Sequence, residues 1–304
     1  MTRLAIAVLA VLPLMPTGPG ERFLSMAAYD DVHHRVLLYG GAVAGDRILS
    51  DIWALDGRTW TRLSDTGPAQ IKAAFAYDAG RDRAVLFGGS GDQPLSDATW
   101  EWDGHRWARI RIPAPSARNH PMAAYDRRSK TIVLFGGYGD RLLSDTWAYD
   151  GRRWTLKDAN GPADGLPHGI FFDESRGRLV MITLVQGPER MSNPMWEWTG
   201  AAWRPLPAGP ATSRSSLQAL APFGRDGIVL FDGDDAREMR GRTWSLADGA
   251  WRSAWLPGPT PRVGHAMVYD KAGRRTLLIG VSNRRDFFGD VWAWDGNQWH
   301  AVQP

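Results

Sequence analysis

Histidines and arginines recur at matching places along this chain. His120, His168 and His265 each precede by four or five residues an aromatic that closes a short apolar run. Arg22, Lys72, Arg118, Arg214 and Arg262 stand in the same lead-in segments. A second set of loops carries Asp46, Arg47, Asp92, Tyr138, Asp140, Arg141, Asp234, Asp235, Arg237, Arg284 and Arg285. Guanidinium groups gathered at one opening would suit a carboxylate, a phosphate or an acidic sugar, because the planar fork matches two oxygens at once. Three imidazoles could hold a metal. A cation beside an acid and a base could move a proton on a bound sugar. The competing reading is that a residue recurring in register serves the repeat itself, bonding neighbouring backbone.

The elements that position these residues are set by tryptophan. The pairs Trp53/Trp60, Trp100/Trp107, Trp147/Trp154, Trp196/Trp203, Trp244/Trp251 and Trp292/Trp299 are each seven residues apart, and their first members recur every 47 to 49 residues. Such a period marks one domain of stacked units, each too small to bury its own apolar face. Each unit reads as four runs of four to six residues rich in β-branched and aromatic types, which are strands. In the first unit these are 25–29, 35–39, 52–55 and 59–63, with Gly40-Gly41 ending the second and Asp56-Gly57 turning the third into the fourth. Asp-Gly predicts a two-residue hairpin with positive φ at both positions. The expectation is an all-β chain, a six-bladed propeller with four antiparallel strands per blade, the blades spanning about 21–66, 67–112, 113–160, 161–208, 209–257 and 258–304.

Gly-Gly after the second strand, an aromatic in the third and a Trp seven residues on resemble the kelch repeat, a propeller family that includes the central domain of galactose oxidase. The likeness covers about residues 18–304, strong in the first three repeats and degraded in the last three. It implies that the first strands line a central channel. The turns between strands one and two, and three and four, then share one face. The interblade connectors and the loops between strands two and three share the other. The uniform Asp-Gly turns make the first face structural. The variable loops make the second the binding face, since binding groups sit disproportionately on loops held by a rigid scaffold. The candidate ligand residues on that face are Arg22, Arg118, His120, Tyr138, Asp140, Arg141, His168, Arg262 and His265.

Several functions are disfavoured. The chain has no cysteine, so the copper and Cys-Tyr chemistry of galactose oxidase is excluded, as are disulfides and thiolate metal sites. No cofactor and no metal are expected. The histidines fall in repeats three, four and six, and Asp232-Gly233-Asp234-Asp235 lacks the spacing and closing Glu of a calcium loop. The net charge of +3 comes with no Lys/Arg run, which leaves no footprint for nucleic acid. The paired tryptophans read as packing between blades. Trp255, in a Pro-rich connector, falls outside that pattern. Arg3 followed by the apolar residues 4–15 has signal-peptide proportions, predicting removal of about residues 1–20, export to the periplasm or beyond, and no lasting membrane insertion. An extra strand is the alternative for 4–15. The functional expectation is a non-catalytic module that binds a protein or glycan on the variable-loop face. A sugar-modifying enzyme of epimerase or mutarotase type, acting on an acidic sugar at the channel mouth, is the alternative.

Overall fold

The computed structural model describes residues 18–91, 93–188, 190–212, 219–232, 241–262, 264–282 and 287–302. Arg214, Asp92, Asp234, Asp235, Arg237, Arg284, Arg285 and the segment 4–15 lie outside these. The chain forms a six-bladed β-propeller. Each blade is a sheet of four antiparallel strands taken in chain order, from the axis outward.

The inner strands are Met26–Asp30, Ala74–Asp78, Met122–Asp126, Leu166–Asp173, Ala219–Phe223 and Ala266–Asp270. Alanines in five of them, and Gly169 in the blade-four strand, suit the convergence, because six strands meeting at an axis leave no room for large side chains on every position. In five blades the strand ends in Asp, whose carboxylate accepts backbone N–H groups of the following turn. Asp30 takes those of Val32 and His33 at 3.2 and 2.9 Å, and Asp173 takes those of Ser175 and Arg176 at 2.9 and 3.0 Å.

Gly-Gly does not end the second strand in the first blade. Arg35–Val43 runs through a bulge between Tyr39 and Gly41 and pairs onward with Arg47–Asp56. Gly40 and Gly41 sit at φ 58° and 98°, and a Cβ on Gly41 would lie 2.9 Å from the Phe23 carbonyl oxygen. Left-handed backbone and close approach both call for glycine here. The third blade repeats the bulge between Phe135 and Gly137.

The Asp-Gly turns also differ from expectation. Only Asp248-Gly249 has both residues at positive φ, 52° and 74°. In the second blade Trp102 pairs with Trp107, so the loop is four residues long. The Asp103 carboxylate accepts N–H from His105 and Arg106 at 2.9 and 2.8 Å. That side-chain capping holds the turn without forcing Asp into the left-handed region.

The fourth-strand tryptophans pack between blades. The indole N–H of Trp154 donates to Thr99 Oγ1 of the preceding blade at 2.9 Å. Trp203 does the same to Thr146 at 2.9 Å, and Trp299 to Thr243 at 2.8 Å. Where the threonine is replaced by Ile52, the Trp107 nitrogen is buried without a partner. The ring closes on itself without a shared strand among the described residues. Blade one contributes Val36, Leu38 and Trp53, and blade six Val268, Leu277 and Ile279, to one buried cluster.

Candidate functional site

The predicted residues fall into three groups. Arg22, Arg118 and Arg262 are buried inside their own blades and do not line the channel. Each guanidinium grips one aspartate with two nitrogens: Arg22 with Asp51 at 2.9 and 3.0 Å, Arg118 with Asp145 at 2.6 and 3.0 Å, and Arg262 with Asp290 at 2.6 and 3.0 Å. Each also donates to a bulge-glycine carbonyl, of Gly40, Gly136 or Gly280. The second oxygen of each aspartate accepts the indole N–H of the tryptophan two residues on, at 2.6 to 2.7 Å. The glycine bulge exposes a carbonyl, the arginine covers it, and the Asp-x-Trp pair neutralises the arginine. The three arginines therefore hold blades one, three and six together.

Tyr138, Asp140 and Arg141 form the second group. They sit at the exposed tip between the second and third strands of blade three, and Tyr138 is half exposed. The backbone of Tyr138 is fixed by two hydrogen bonds to Asn119, at 2.7 and 2.9 Å, so the ring projects from rigid backbone. Trp255 is also exposed, at the connector that leaves blade five, with the Arg242 guanidinium 4.3 Å from its ring centre. Both exposed large aromatics among the described residues thus lie on the variable-loop face.

His120, His168 and His265 form the third group and do line the channel, a cavity of about 440 Å³ walled by the inner strands. They are not brought within metal-binding distance of one another. The described trio that meets that distance is Asp30, His33 and Asp82 on the opposite face. Its carboxylates are already taken up by Arg35 and by the Tyr77 hydroxyl, at 2.9 and 2.5 Å.

Three features of the channel were not foreseen. Leu24, Lys72 and His120 occupy the same position in three successive blades, and all are left-handed, at φ 55°, 58° and 53°. Non-glycine residues in that region cost on the order of 1 kcal/mol and cluster at functional sites. Backbone bonds tie the positions together, from His120 N–H to Lys72 C=O at 2.7 Å and from Leu24 N–H to Gly264 C=O at 3.2 Å. Lys72 and His120 both line the channel. Burial first, and then the Lys72 charge, lower the His120 pKa, so the ring is neutral near pH 7. Its Nδ1 lies 3.0 Å from Asn119 Oδ1, which assigns the proton to Nδ1.

Ser25 and His265 hold equivalent places in blades one and six, each directly after a left-handed residue, Leu24 and Gly264, and the His265 ring packs edge-on against Phe231 of blade five, ring centres 5.5 Å apart. His265 is 7% exposed, and neither of its ring nitrogens has a hydrogen-bond partner in the chain; Ser25 Oγ is equally buried and unpartnered. Burial, reinforced by the nearby Arg262 charge and then by His168, pushes the His265 pKa down to about 3.

The far end of the channel is crossed by charge. Arg127 bridges Asp31 and Glu174 at 2.9 and 3.1 Å, and Lys271 bridges the same two at 2.7 and 3.5 Å. These four residues come from blades one, three, four and six, and alternate in sign around the axis. Each directly follows the aspartate that ends an inner strand, at Asp30, Asp126, Asp173 and Asp270. That shared position with alternating charge was the readable signal.

Neither the family models nor the curated proteins provide a match to this chain. Among the described residues, no helix is long and apolar enough to cross a membrane.

Proposed function

We propose that this propeller is a binding module that engages a protein or glycan ligand through its variable-loop face, without catalysis. One observation carries the reading: Tyr138 and Trp255, the exposed large aromatics of the described surface, both lie on that face. Tyr and Trp supply contact area at low entropic cost and are enriched at recognition surfaces. The opposite face is occupied with itself, its turns capped by Asp103, Asp150 and Asp295. An epimerase-type site would need arginines converging with an acid on one pocket. Arg118 and Arg262 instead face Asp145 and Asp290 in separate blades, which favours binding over sugar chemistry. The Gly-Gly and paired-Trp pattern supports a kelch-type repeat, and Arg3 with the apolar residues 4–15 supports export.

The test compares the two faces. Labelled protein is applied to a glycan array and to an immobilised panel of extracellular proteins. Tyr138→Ser with Arg141→Glu is set against Arg106→Glu with Arg152→Glu on the opposite face. Binding lost in the first pair and kept in the second is expected. Equal loss from both faces, or loss from the second alone, contradicts the assignment.

A further inference from the structure

Blade five departs from the clamp that holds blades one, three and six. The residue two places before the third-strand tryptophan is Asp51, Asp145 or Asp290 in those blades, and Arg242 in blade five. Each of the three aspartates accepts the indole N–H of its tryptophan and takes an arginine fork. A guanidinium has no acceptor and can do neither. The Trp244 indole nitrogen is accordingly buried without a partner. The Arg242 guanidinium lies over two rings instead, 4.3 Å from the centre of Trp255 and 5.6 Å from that of Trp244. Neither Arg242 nor Trp255 lines the channel. Both stand on the loop face, one at the start of the third strand and one just past the end of the fourth.

Arg22, Arg118 and Arg262 spend their N–H groups on aspartates and glycine carbonyls. Arg242 is half-buried, and among the described residues its side chain meets no hydrogen-bond acceptor and no ion-pair partner. Asp232 lies opposite it across the strand pair, is buried, and forms no ion pair with it. A guanidinium held against an aromatic ring keeps its planar fork, and ordering it before a ligand arrives lowers the cost of binding. The fork matches the two oxygens of one carboxylate. Beside it, Trp255 is 40% exposed, and it is the single exposed large apolar side chain of blades five and six among the described residues. A peptide partner draws on a cluster of such anchors. One flat indole next to one fork fits a sugar unit better, since its C–H face can rest on the indole while its acid group meets the cation.

We propose that Arg242 and Trp255 form a subsite for an acidic glycan, with a uronate carboxylate on the Arg242 fork and its pyranose ring against Trp255. The subsite rests on the loop-face reading and narrows it, from protein or glycan to glycan, and among glycans to those that carry carboxylates. It holds the ligand and does no chemistry on it. Blade five gives up the clamp of its neighbours at this position, and the arginine so released faces outward from the fold rather than into it.

Isothermal titration with three probes tests this. Trigalacturonate carries both features. Its methyl ester keeps the rings and removes the charge, and capped triglutamate keeps the charge and removes the rings. Trigalacturonate is expected to bind at least about tenfold tighter than either. Arg242→Asp reverses the charge and gives Trp244 the acceptor that Trp53, Trp147 and Trp292 have, and it is expected to abolish trigalacturonate binding. Trp255→Ala, at an exposed ring, is expected to weaken binding by about tenfold, and it carries the test should Arg242→Asp fold poorly. Absent trigalacturonate binding, an ester or triglutamate bound as tightly, or binding unchanged in Trp255→Ala, overturns the proposal. The loop-face reading has a separate point of failure. Trigalacturonate failing while Tyr138→Ser with Arg141→Glu still abolishes array binding removes this subsite alone, whereas array binding lost with Arg106→Glu and Arg152→Glu removes the face assignment itself.

Discussion

Arg118 and Asp145 meet inside the third blade in a two-point ion pair, Nη1 to Oδ1 at 2.6 Å and Nη2 to Oδ2 at 3.0 Å. The arginine is fully buried and also covers the Gly136 carbonyl at 3.1 Å. Removing one partner of such a pair strands the other. Arg118→Met is expected to cost about 3–5 kcal/mol of unfolding free energy, read from urea titrations. A loss below about 1 kcal/mol would place Arg118 outside the structural framework.

The same pair sets an acid limit. Burial alone would raise the Asp145 pKa, but hydrogen bonds from Arg118 and Trp147 and the arginine charge outweigh it and hold the carboxyl below its usual value. A carboxylate depressed in the folded state stabilises at pH above its unfolded pKa, near 3.9, and that contribution is lost as pH falls through the folded value. Urea midpoints measured from pH 5 down to 2.5 should fall more steeply for the native chain than for Asp145→Asn.

His265 acts at higher pH. Its folded pKa of about 3 lies below the unfolded value of 6.5. The unfolded chain therefore binds the extra proton first, and stability falls as pH drops from about 6.5 towards 3. The slope from this one group approaches about 1.4 kcal/mol per pH unit once pH is well below 6.5. His265→Phe should flatten the stability profile between pH 6.5 and 4, and an unchanged profile would mean that the imidazole takes up its proton in the folded state.

Thr146 tests the interblade tryptophans. Its Oγ1 accepts the buried Trp203 indole N–H at 2.9 Å. Thr146→Val keeps the shape and removes the acceptor, and is expected to cost about 1–3 kcal/mol by thermal or urea unfolding. Thr61, exposed on the fourth strand of the first blade, is the control: Thr61→Val should change stability by less than about 0.5 kcal/mol.

The bridge across the channel is a partly exposed network, so each pair is worth little alone. Arg127→Glu replaces two attractions with two repulsions around Asp31 and Glu174. It should destabilise by about 1–3 kcal/mol at low salt and recover most of that in 1 M NaCl, where charges are screened within about 3 Å. A salt-independent loss would point to packing of Arg127 on Phe172, whose ring centre lies 5.7 Å away.

The fold was legible because it is written six times. The Trp53/Trp60 spacing and its five repeats mark third and fourth strands, and the Ala-rich runs ending in Asp mark the inner ones. Arg22, Arg118 and Arg262 were harder to read. Their spacing to Asp51, Asp145 and Asp290 varies, at 29, 27 and 28 residues, and sequence alone does not distinguish a buried arginine from one at an opening. Tyr138 was legible as surface, because it follows Gly136-Gly137 and leads into the polar Asp140 and Arg141. Ser25 gave no signal, since a serine ahead of an inner strand is ordinary until its neighbours deny it a partner. The left-handed backbone at Leu24 and Lys72 was invisible for a related reason, because neither residue type announces positive φ, and a single histidine at 120 is only a weak pointer to it.

The most direct measurement compares the two faces of the intact protein on the glycan array and the extracellular-protein panel. Binding is predicted to be lost with Tyr138→Ser and Arg141→Glu and kept with Arg106→Glu and Arg152→Glu. Equal loss from both pairs, or loss from the second pair alone, would contradict the account.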